Sequence, residues 1–173
     1  MENHKARILI VDDEETVTSV VLSILSSKGH QCDVAADSTR ALELFALNEY
    51  DAVITDVVMP GMNGLALTRE LVRLRNGLPI MVMTGYGNIY AAEEAVEAGA
   101  SEFIAKPFTL AEFDLRFQKM LQQAELLQGT RDRQNEIQRI SSSMISGIER
   151  DAYDNISRLQ QEIKQLKSQL STQ

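Results

Sequence analysis

The stretch Arg7-Ile-Leu-Ile-Val-Asp-Asp13 contains four consecutive apolar residues followed by two aspartates. A run that is apolar on both faces is typical of a strand in a parallel sheet, which helices cover on both sides. Four further short runs begin at Gln31, Ala52, Pro79 and Glu102, and apolar residues at helical spacing follow each of them. Five strands that alternate with five helices predict an α/β protein with an open, doubly wound parallel sheet.

The residues at the predicted helix ends support this assignment. Asp37 and Asn63 are suited to cap the second and third helices with their side-chain oxygens. Thr109-Leu-Ala-Glu112 fits a capping box at the start of the fifth helix. Gly29 and Gly99 fall where helices are expected to end, a position that favours glycine.

Composition and charge exclude several classes of protein. The chain has 173 residues, of which 44% are hydrophobic, so global disorder is excluded. It contains no apolar run near the roughly 18 residues that a membrane helix needs, and its amino terminus does not resemble a signal peptide. The single cysteine, Cys32, excludes an internal disulfide and a cysteine-based zinc site. We therefore expect a soluble, cytoplasmic protein that does not bind membranes.

The charge is distributed unevenly along the chain. Residues 1–129 carry 10 basic and 19 acidic side chains, a net charge of −9, whereas residues 130–173 carry 7 and 6, a net charge of +1. Proteins that bind nucleic acid directly usually present a basic surface. The acidic first part of this chain therefore predicts no direct binding of nucleic acid.

Polar side chains follow the predicted strands at the carboxyl edge of the sheet, where open α/β sheets bind ligands. These residues are Asp12, Asp13, Asp56, Thr84 and Lys106. Each of them taken singly has an ordinary role as a helix cap, a turn residue or a solvated side chain. Together they place three carboxylates, a hydroxyl and an ammonium group at one edge of the sheet.

Electrostatics predicts what such an edge binds. Two carboxylates about 5 Å apart repel each other by about 3 kcal/mol at an effective dielectric constant of 20. A divalent cation would relieve this repulsion, and a site that has only oxygen ligands suits Mg²⁺. Asp56 would then lie between the metal and Lys106, where a phosphoryl group could be neutralised, and a carboxylate can itself act as the nucleophile. The residues thus predict a Mg²⁺-dependent phosphoryl acceptor.

Four motifs occur in order along the chain: Val11-Asp-Asp-Glu14, Thr55-Asp-Val-Val-Met-Pro-Gly-Met-Asn-Gly64, Met83-Thr-Gly-Tyr-Gly87 and Ile104-Ala-Lys-Pro-Phe108. They resemble the motifs of the receiver domain of two-component response regulators, and the third one is most similar to receivers of the nitrogen-regulator and nodulation-regulator type. The resemblance covers about residues 5–127. It implies a flavodoxin-like fold whose five parallel strands have the order 2-1-3-4-5.

The resemblance also implies a phosphorylation site and a metal site. Asp56 would be phosphorylated by a histidine kinase. Asp13 and Asp56 would bind Mg²⁺ together with the backbone carbonyl of Val58, and Asp12 would contribute through a water molecule. The chain would thus be a signalling protein whose only chemistry is its own phosphorylation and dephosphorylation.

The remaining residues of the motifs are implied to form a switch. Thr84 and Lys106 would contact the phosphoryl oxygens, and Phe103 would be an aromatic residue that changes rotamer when Thr84 moves. Phenylalanine at position 103 carries no hydroxyl, so this switch would work by packing alone. The family's cis peptide bond would precede Pro107.

Two other functions deserve comparison with this interpretation. A Mg²⁺-dependent phosphatase or other hydrolase could share the fold, but such enzymes usually need an extra acid or base beside the nucleophile. The residue two positions after Asp56 is the apolar Val58. The stretch Gly85-Tyr-Gly-Asn-Ile-Tyr90 approaches the dinucleotide pattern G-x-G-x-x-G, but it lacks the third glycine and follows the fourth strand rather than the first. The only histidines are His4 and His30, so residues 129–173 contain no phosphohistidine donor and the kinase must act in trans.

The sequence divides into a receiver domain, residues 1–128, and a helical tail, residues 129–173. The tail has apolar residues at steps of three and four at Ile156, Leu159, Ile163, Leu166 and Leu170. Branched residues at position a and leucine at position d favour a parallel two-stranded coiled coil. In that register Glu162 and Lys167 are placed to form an ion pair between chains. Upstream, the apolar residues from Ile140 to Ile156 are four apart, a spacing that resembles a stutter.

Three interpretations of the tail remain open. It could form a homodimeric coiled coil through residues 137–170, it could dock onto a downstream protein, or it could be a linker that ends before an output domain. The sequence also leaves open whether the fifth helix continues unbroken through Gly129.

Overall fold

A computed structural model of the protein describes residues 5–85 and 89–170, without the side chains of residues 89–91 and 165–170. His4 and residues 86–88 of the glycine motif lie outside these ranges. The elements in chain order are β1 (Arg7–Val11), α1 (Glu15–Ser27), β2 (Gln31–Ala35), α2 (Ser38–Leu47), β3 (Ala52–Asp56), α3 (Gly64–Leu74), β4 (Ile80–Thr84), α4 (Ile89–Glu97), β5 (Glu102–Ala105) and α5 (Leu110–Leu170).

The five strands form one parallel sheet with the order β2-β1-β3-β4-β5, which confirms the predicted fold class. In the register of the sheet, Val11 pairs with Thr55 and Asp56 pairs with Met83. The carboxyl ends of β1, β3 and β4 are therefore level with one another. β4 begins one residue later than the apolar run from Pro79 predicts, and it ends at Thr84.

The strands are apolar throughout because the sheet is covered on both faces. Leu9, Val11 and Val53 belong to a buried cluster with residues of α2, α3 and α4. Ile8 and Ile10, which alternate with them along β1, belong to a second cluster with residues of α1 and α5. Successive side chains of a strand point to opposite faces, so one strand contributes to both clusters.

The predicted helix ends are present. The side chains of Asp37 and Asn63 each accept a hydrogen bond from the backbone amide three residues later, at 2.8 Å. The Thr109 hydroxyl oxygen accepts one from the Glu112 amide at 3.1 Å. Gly29 and Gly99 have φ angles of 87° and 92°, in the left-handed region that favours glycine.

The helix α5 runs from Leu110 to Leu170 and includes Gly129, so it does not end where the predicted tail begins. The chain sorts into two compact units, residues 1–126 and residues 127–173. In residues 5–85 and 89–170, no helix has the length and apolar character required to cross a membrane.

Gly64 provides a test of how the end of β3 is packed. A Cβ atom at this position would overlap the backbone carbonyl of Asp56. We expect Gly64→Ala to lower the free energy of unfolding of the first unit by about 1–3 kcal/mol, because β3 or α3 would have to move. Thermal unfolding followed by near-ultraviolet circular dichroism measures this.

Gly129→Ala is the matched control, since a Cβ there meets no atom within 4 Å. We expect it to leave the unfolding of the first unit unchanged. Equal stability of the Gly64→Ala variant and the original protein would contradict the packing described for this strand end.

Candidate functional site

Three of the predicted site residues meet at the carboxyl edge of the sheet. The Lys106 ammonium nitrogen lies 2.8 Å from Oδ2 of Asp12 and 2.8 Å from Oδ1 of Asp56. The side chains of Asp12 and Asp56 are 0% and 6% exposed, and that of Lys106 is 14% exposed. A single, largely buried cation therefore bridges two buried carboxylates at the carboxyl ends of neighbouring strands.

Both carboxylates are held in the same way. Oδ1 of Asp12 accepts a hydrogen bond from the Glu14 amide at 2.9 Å, and Oδ2 of Asp56 accepts one from the Val58 amide at 2.8 Å. In each case the amide lies two residues further along the chain, and the second oxygen contacts Lys106. The turn after each strand thus fixes its carboxylate and directs one oxygen toward the ammonium group.

Burial and charge act in opposite directions on these groups. Burial raises the pKa of the Asp12 carboxyl, and this effect outweighs the lowering by the hydrogen bonds from Lys106 and Glu14. Burial alone would lower the pKa of Lys106, but the carboxylates of Asp12 and Asp56 raise it above its usual value. Lys106 therefore stays protonated, and Asp12 bears a cost for remaining ionised.

The other predicted site residues lie around this group. Thr84 is buried at the end of β4, and its carbonyl accepts a hydrogen bond from the Lys106 amide at 2.7 Å. Asp13 is exposed, and Val58 has an exposed side chain although its amide is bound to Asp56. The Lys106–Pro107 peptide bond is cis, as the resemblance implies.

The donor set is suitable for Mg²⁺, although the side chains are not gathered around a metal position. Among the residues that the structure describes, no three His, Cys, Asp or Glu side chains group as a metal site requires. The ammonium group of Lys106 lies between the carboxylates of Asp12 and Asp56. The carboxylates of Asp12, Asp13 and Asp56 nevertheless offer the hard oxygen ligands that Mg²⁺ prefers.

Phe103 lies on β5, at the edge of the sheet, and is partly buried against the cluster that includes α3 and α4. Nη1 of Arg116, on α5, donates to the Phe103 carbonyl and to Oε1 of Glu102, both at 3.2 Å. The same Glu102 oxygen accepts a hydrogen bond from the Phe103 amide at 3.0 Å. The side chain of Glu102 thus binds the backbone amide of Phe103, and the side chain of Arg116 binds its carbonyl. Arg116 connects the predicted switch residue to α5.

Sequence reasoning missed two of these contacts. Glu14 contributes a further carboxylate oxygen, 3.3 Å from the Lys106 ammonium, although its side chain is largely exposed. Its position in Val11-Asp-Asp-Glu14 was the available signal. For Arg116, the only indication in the sequence was Glu112, four residues earlier on the same helix. The Arg116 guanidinium does pair with the Glu112 carboxylate, at 3.3 Å.

Comparisons with known proteins agree with this fold. The family model of the response regulator receiver domain matches residues 8–118. The chain is 37% identical over 115 residues to response regulator MprA of Mycobacterium sp. (strain KMS), and the aligned residues cover 66% of this chain and 50% of that protein. It is 34% identical over 125 residues to the probable transcriptional regulator ycf27 of Cyanophora paradoxa, and the aligned residues cover 72% of this chain and 52% of that protein.

Solved structures show the same likeness. The crystal structure of NtrX from Brucella abortus is similar at 34% identity with a TM-score of 0.71, over 74% of this chain and 29% of that one. A receiver domain protein from Clostridium thermocellum is similar at 31% identity with a TM-score of 0.65, over 70% of this chain and 98% of that one.

The first unit therefore has the fold of a receiver domain of signalling proteins. The chain belongs to the response regulator receiver family of two-component signalling proteins. It spans about half the length of the curated relatives that it matches. Receiver domains of this family bind Mg²⁺ and interact with histidine kinases.

Lys106 provides a test of the charge balance at this edge. In buffer that contains a metal chelator, we expect Lys106→Met to lower the free energy of unfolding by about 2–3 kcal/mol, because two buried carboxylates lose their shared cation. The deficit should grow as the pH rises from about 5 to about 8, since protonation of one carboxyl relieves the repulsion at low pH. Chemical denaturation at both pH values measures it.

Lys28→Met is the matched control. Lys28 also forms a 2.8 Å ion pair, with Asp114, but both side chains are about one-third exposed. Its removal should cost less than about 1 kcal/mol, with no comparable dependence on pH. Equal losses of unfolding free energy in the two lysine variants would show that the carboxylates of Asp12 and Asp56 do not repel each other.

Proposed function

We propose that this protein is a response regulator that accepts a phosphoryl group on Asp56 from a histidine kinase acting in trans. The contact of Lys106 with both Asp12 and Asp56 carries the proposal, because it supplies a positive charge beside an oxygen that can act as a nucleophile. The reaction is stoichiometric, and the chain has no further enzymatic activity.

The two oxygens of Asp56 have different surroundings, which suggests how the transfer proceeds. Oδ2 is bound to the Val58 amide, so Oδ1 is the oxygen that attacks phosphorus. The new O–P bond forms as the P–N bond to the kinase histidine breaks, and the product is an acyl phosphate. Lys106 moves from Oδ1 to the oxygens of the transferred group and stabilises their charge.

Asp13, Asp56 and the backbone carbonyl of Val58 would hold Mg²⁺, with Asp12 acting through a water molecule. When bound, Mg²⁺ supplies a divalent charge that neutralises the oxygens of the transferring group. Asp12 keeps one oxygen on the Glu14 amide and stays at the edge of the sheet whichever cation balances it.

Phosphorylation would then change the packing of β5. Thr84 approaches the new phosphoryl group, and Phe103 turns into the space that this movement leaves. The surface formed by α4, β5 and α5 changes as a result. Such a response is a shift between two packings of one fold.

We also propose that residues 137–170 of the tail mediate the output by forming a homodimer. Exposed apolar side chains continue through this unit, among them Ile140, Met144 and Ile156. Burying such a row against a second copy is favourable, whereas leaving it in water promotes association with other surfaces. A docking helix for a downstream protein and a linker to an output domain are the alternative roles.

The phosphoacceptor role is tested at Asp56. We expect Asp56→Asn to abolish acid-labile incorporation of phosphate from acetyl phosphate in the presence of Mg²⁺, because an amide cannot form the acyl phosphate. Phosphorus NMR or retardation in a phosphate-binding gel measures incorporation.

Asp51→Asn is the matched control at the opposite end of β3, where the carboxylate accepts a hydrogen bond from the Arg7 amide at 2.7 Å. It should be phosphorylated like the original protein. Full incorporation by the Asp56→Asn variant would remove Asp56 from the proposed role.

The dimer is tested by measuring mass in solution. We expect full-length protein to have the mass of a dimer and residues 1–128 that of a monomer, with the full-length dimer fraction changed by the phosphate analogue beryllofluoride. Light scattering over a range of concentrations measures both. The four samples are the two proteins, each with and without beryllofluoride. Monomeric masses in all four would exclude the homodimer and leave the docking or linker role.

A further inference from the structure

Glu14 precedes the first turn of α1, but its side chain does not cap that helix. It occupies the N-cap position, with φ and ψ angles of −88° and 103°. Its carboxylate forms no capping hydrogen bond with the amides of α1, all of which the structure describes. Serine, threonine, aspartate and asparagine are the usual caps, because their short side chains reach the free amides. The start of α1 therefore does not account for a glutamate at this position.

The carboxylate of Glu14 contacts Lys106 instead. Its Oε1 atom lies 3.3 Å from the ammonium nitrogen of a residue that is 92 positions later in the chain. The same ammonium group contacts the carboxylates of Asp12 and Asp56, whose side chains are 0% and 6% exposed, whereas the side chain of Glu14 is 64% exposed. Of these carboxylates, that of Glu14 is the most accessible to a molecule that arrives from solvent.

This accessible charge opposes the approach of a phosphodonor. A phosphoryl group is an anion, and it must come close to the Lys106 ammonium in order to react with Asp56. Asp13 and Glu14 are both exposed beside this site, whereas the Lys106 side chain is only 14% exposed. An anionic donor therefore meets negative charge before it reaches the positive charge.

Glu14 also competes for Lys106 during the transfer itself. In the proposed reaction the ammonium group leaves Oδ1 of Asp56 and binds the oxygens of the phosphoryl group. Oε1 of Glu14 attracts the same ammonium group in the unphosphorylated protein. Repulsion of the donor and competition for Lys106 have the same sign, because both make phosphorylation less favourable.

We propose that Glu14 is a specificity-determining residue that selects against small anionic phosphodonors. The proposal rests on the phosphoacceptor role of Asp56 proposed above. A kinase binds through an extended protein surface, and those contacts can offset the repulsion at one carboxylate. A free donor such as acetyl phosphate has few contacts that could do so. The Glu14 carboxylate thus favours transfer from a bound protein over transfer from a small anion in solution.

Glu14→Gln tests this role, because it removes the charge and keeps the size of the side chain. With acetyl phosphate as the donor, Oδ1 of Asp56 attacks phosphorus, and acetate leaves with the electron pair of the P–O bond. In the full-length protein we expect the initial rate of this transfer to rise about threefold to tenfold. Retardation in a phosphate-binding gel measures the rate. Each protein is assayed at a Mg²⁺ concentration that saturates it, so that a change in metal affinity does not alter the rate.

Glu15→Gln is the matched control. Glu15 is the next residue, is also exposed and lies in the first turn of α1, so this variant removes the same charge from a neighbouring position. We expect it to change the initial rate less than about twofold at physiological ionic strength. A gain for Glu14→Gln no larger than that for Glu15→Gln would overturn the proposed role of Glu14. Thermal unfolding should be the same in both variants and the original protein, because neither variant removes a capping bond.

The charge of the donor and the salt concentration separate electrostatic selection from a change of shape. Phosphoramidate has a protonated nitrogen and therefore a lower net negative charge than acetyl phosphate, which is a dianion at neutral pH. We expect the gain of Glu14→Gln to be smaller with phosphoramidate. We also expect it to shrink as the salt concentration rises from about 0.05 M to about 0.5 M, because salt screens exposed charges. A gain that depends on neither would overturn the electrostatic selection.

The same assay separates the role of Glu14 from that of Asp56. Phosphate incorporation by the original protein, with no gain in Glu14→Gln, would overturn the selection by Glu14 and leave the phosphoacceptor role intact. Absence of incorporation in both proteins at saturating Mg²⁺ would contradict the phosphoacceptor role, and the selection by Glu14 with it.

Discussion

The ammonium group that Lys106 shares between Asp12 and Asp56 is the interaction on which the site depends. The two carboxylates belong to neighbouring strands, and both are almost completely buried. Without a cation between them they would repel each other by about 3 kcal/mol at a separation near 5 Å. The parallel register of β1 and β3, the turns that fix one oxygen of each carboxylate and the absence of a side chain at Gly64 all maintain this arrangement.

The sequence was sufficient to predict the fold and to predict that Asp12, Asp56 and Lys106 lie together at the carboxyl edge of the sheet. The signals for strands, caps and glycine helix ends are local, and the topology brings the ends of β1, β3 and β4 together without further information. The bridging position of Lys106 and the contact between Arg116 and the Phe103 carbonyl could not be predicted in the same way. They depend on the orientations of side chains on separate elements. Lys106 is 94 residues from Asp12 in the sequence, and Arg116 is 13 residues from Phe103.

The tail shows a different limit of sequence reasoning. The last two heptads are regular, and they suggested a coil that begins within the tail and slips upstream. The sequence also left open whether the fifth helix continues through Gly129, and the structure shows α5 as one helix from Leu110 to Leu170. A single glycine costs a helix only about 1 kcal/mol, so its presence in the sequence could not decide this point.

We expect Mg²⁺ to bind at the edge of the sheet where Lys106 bridges the buried carboxylates of Asp12 and Asp56. Isothermal titration of Mg²⁺ into the protein and into the Asp56→Asn variant tests it most directly, with no need for a kinase or a phosphodonor. We expect one bound ion per chain in the original protein and a large loss of Mg²⁺ affinity in the variant. Absence of Mg²⁺ binding, or equal affinity in the two proteins, would contradict it.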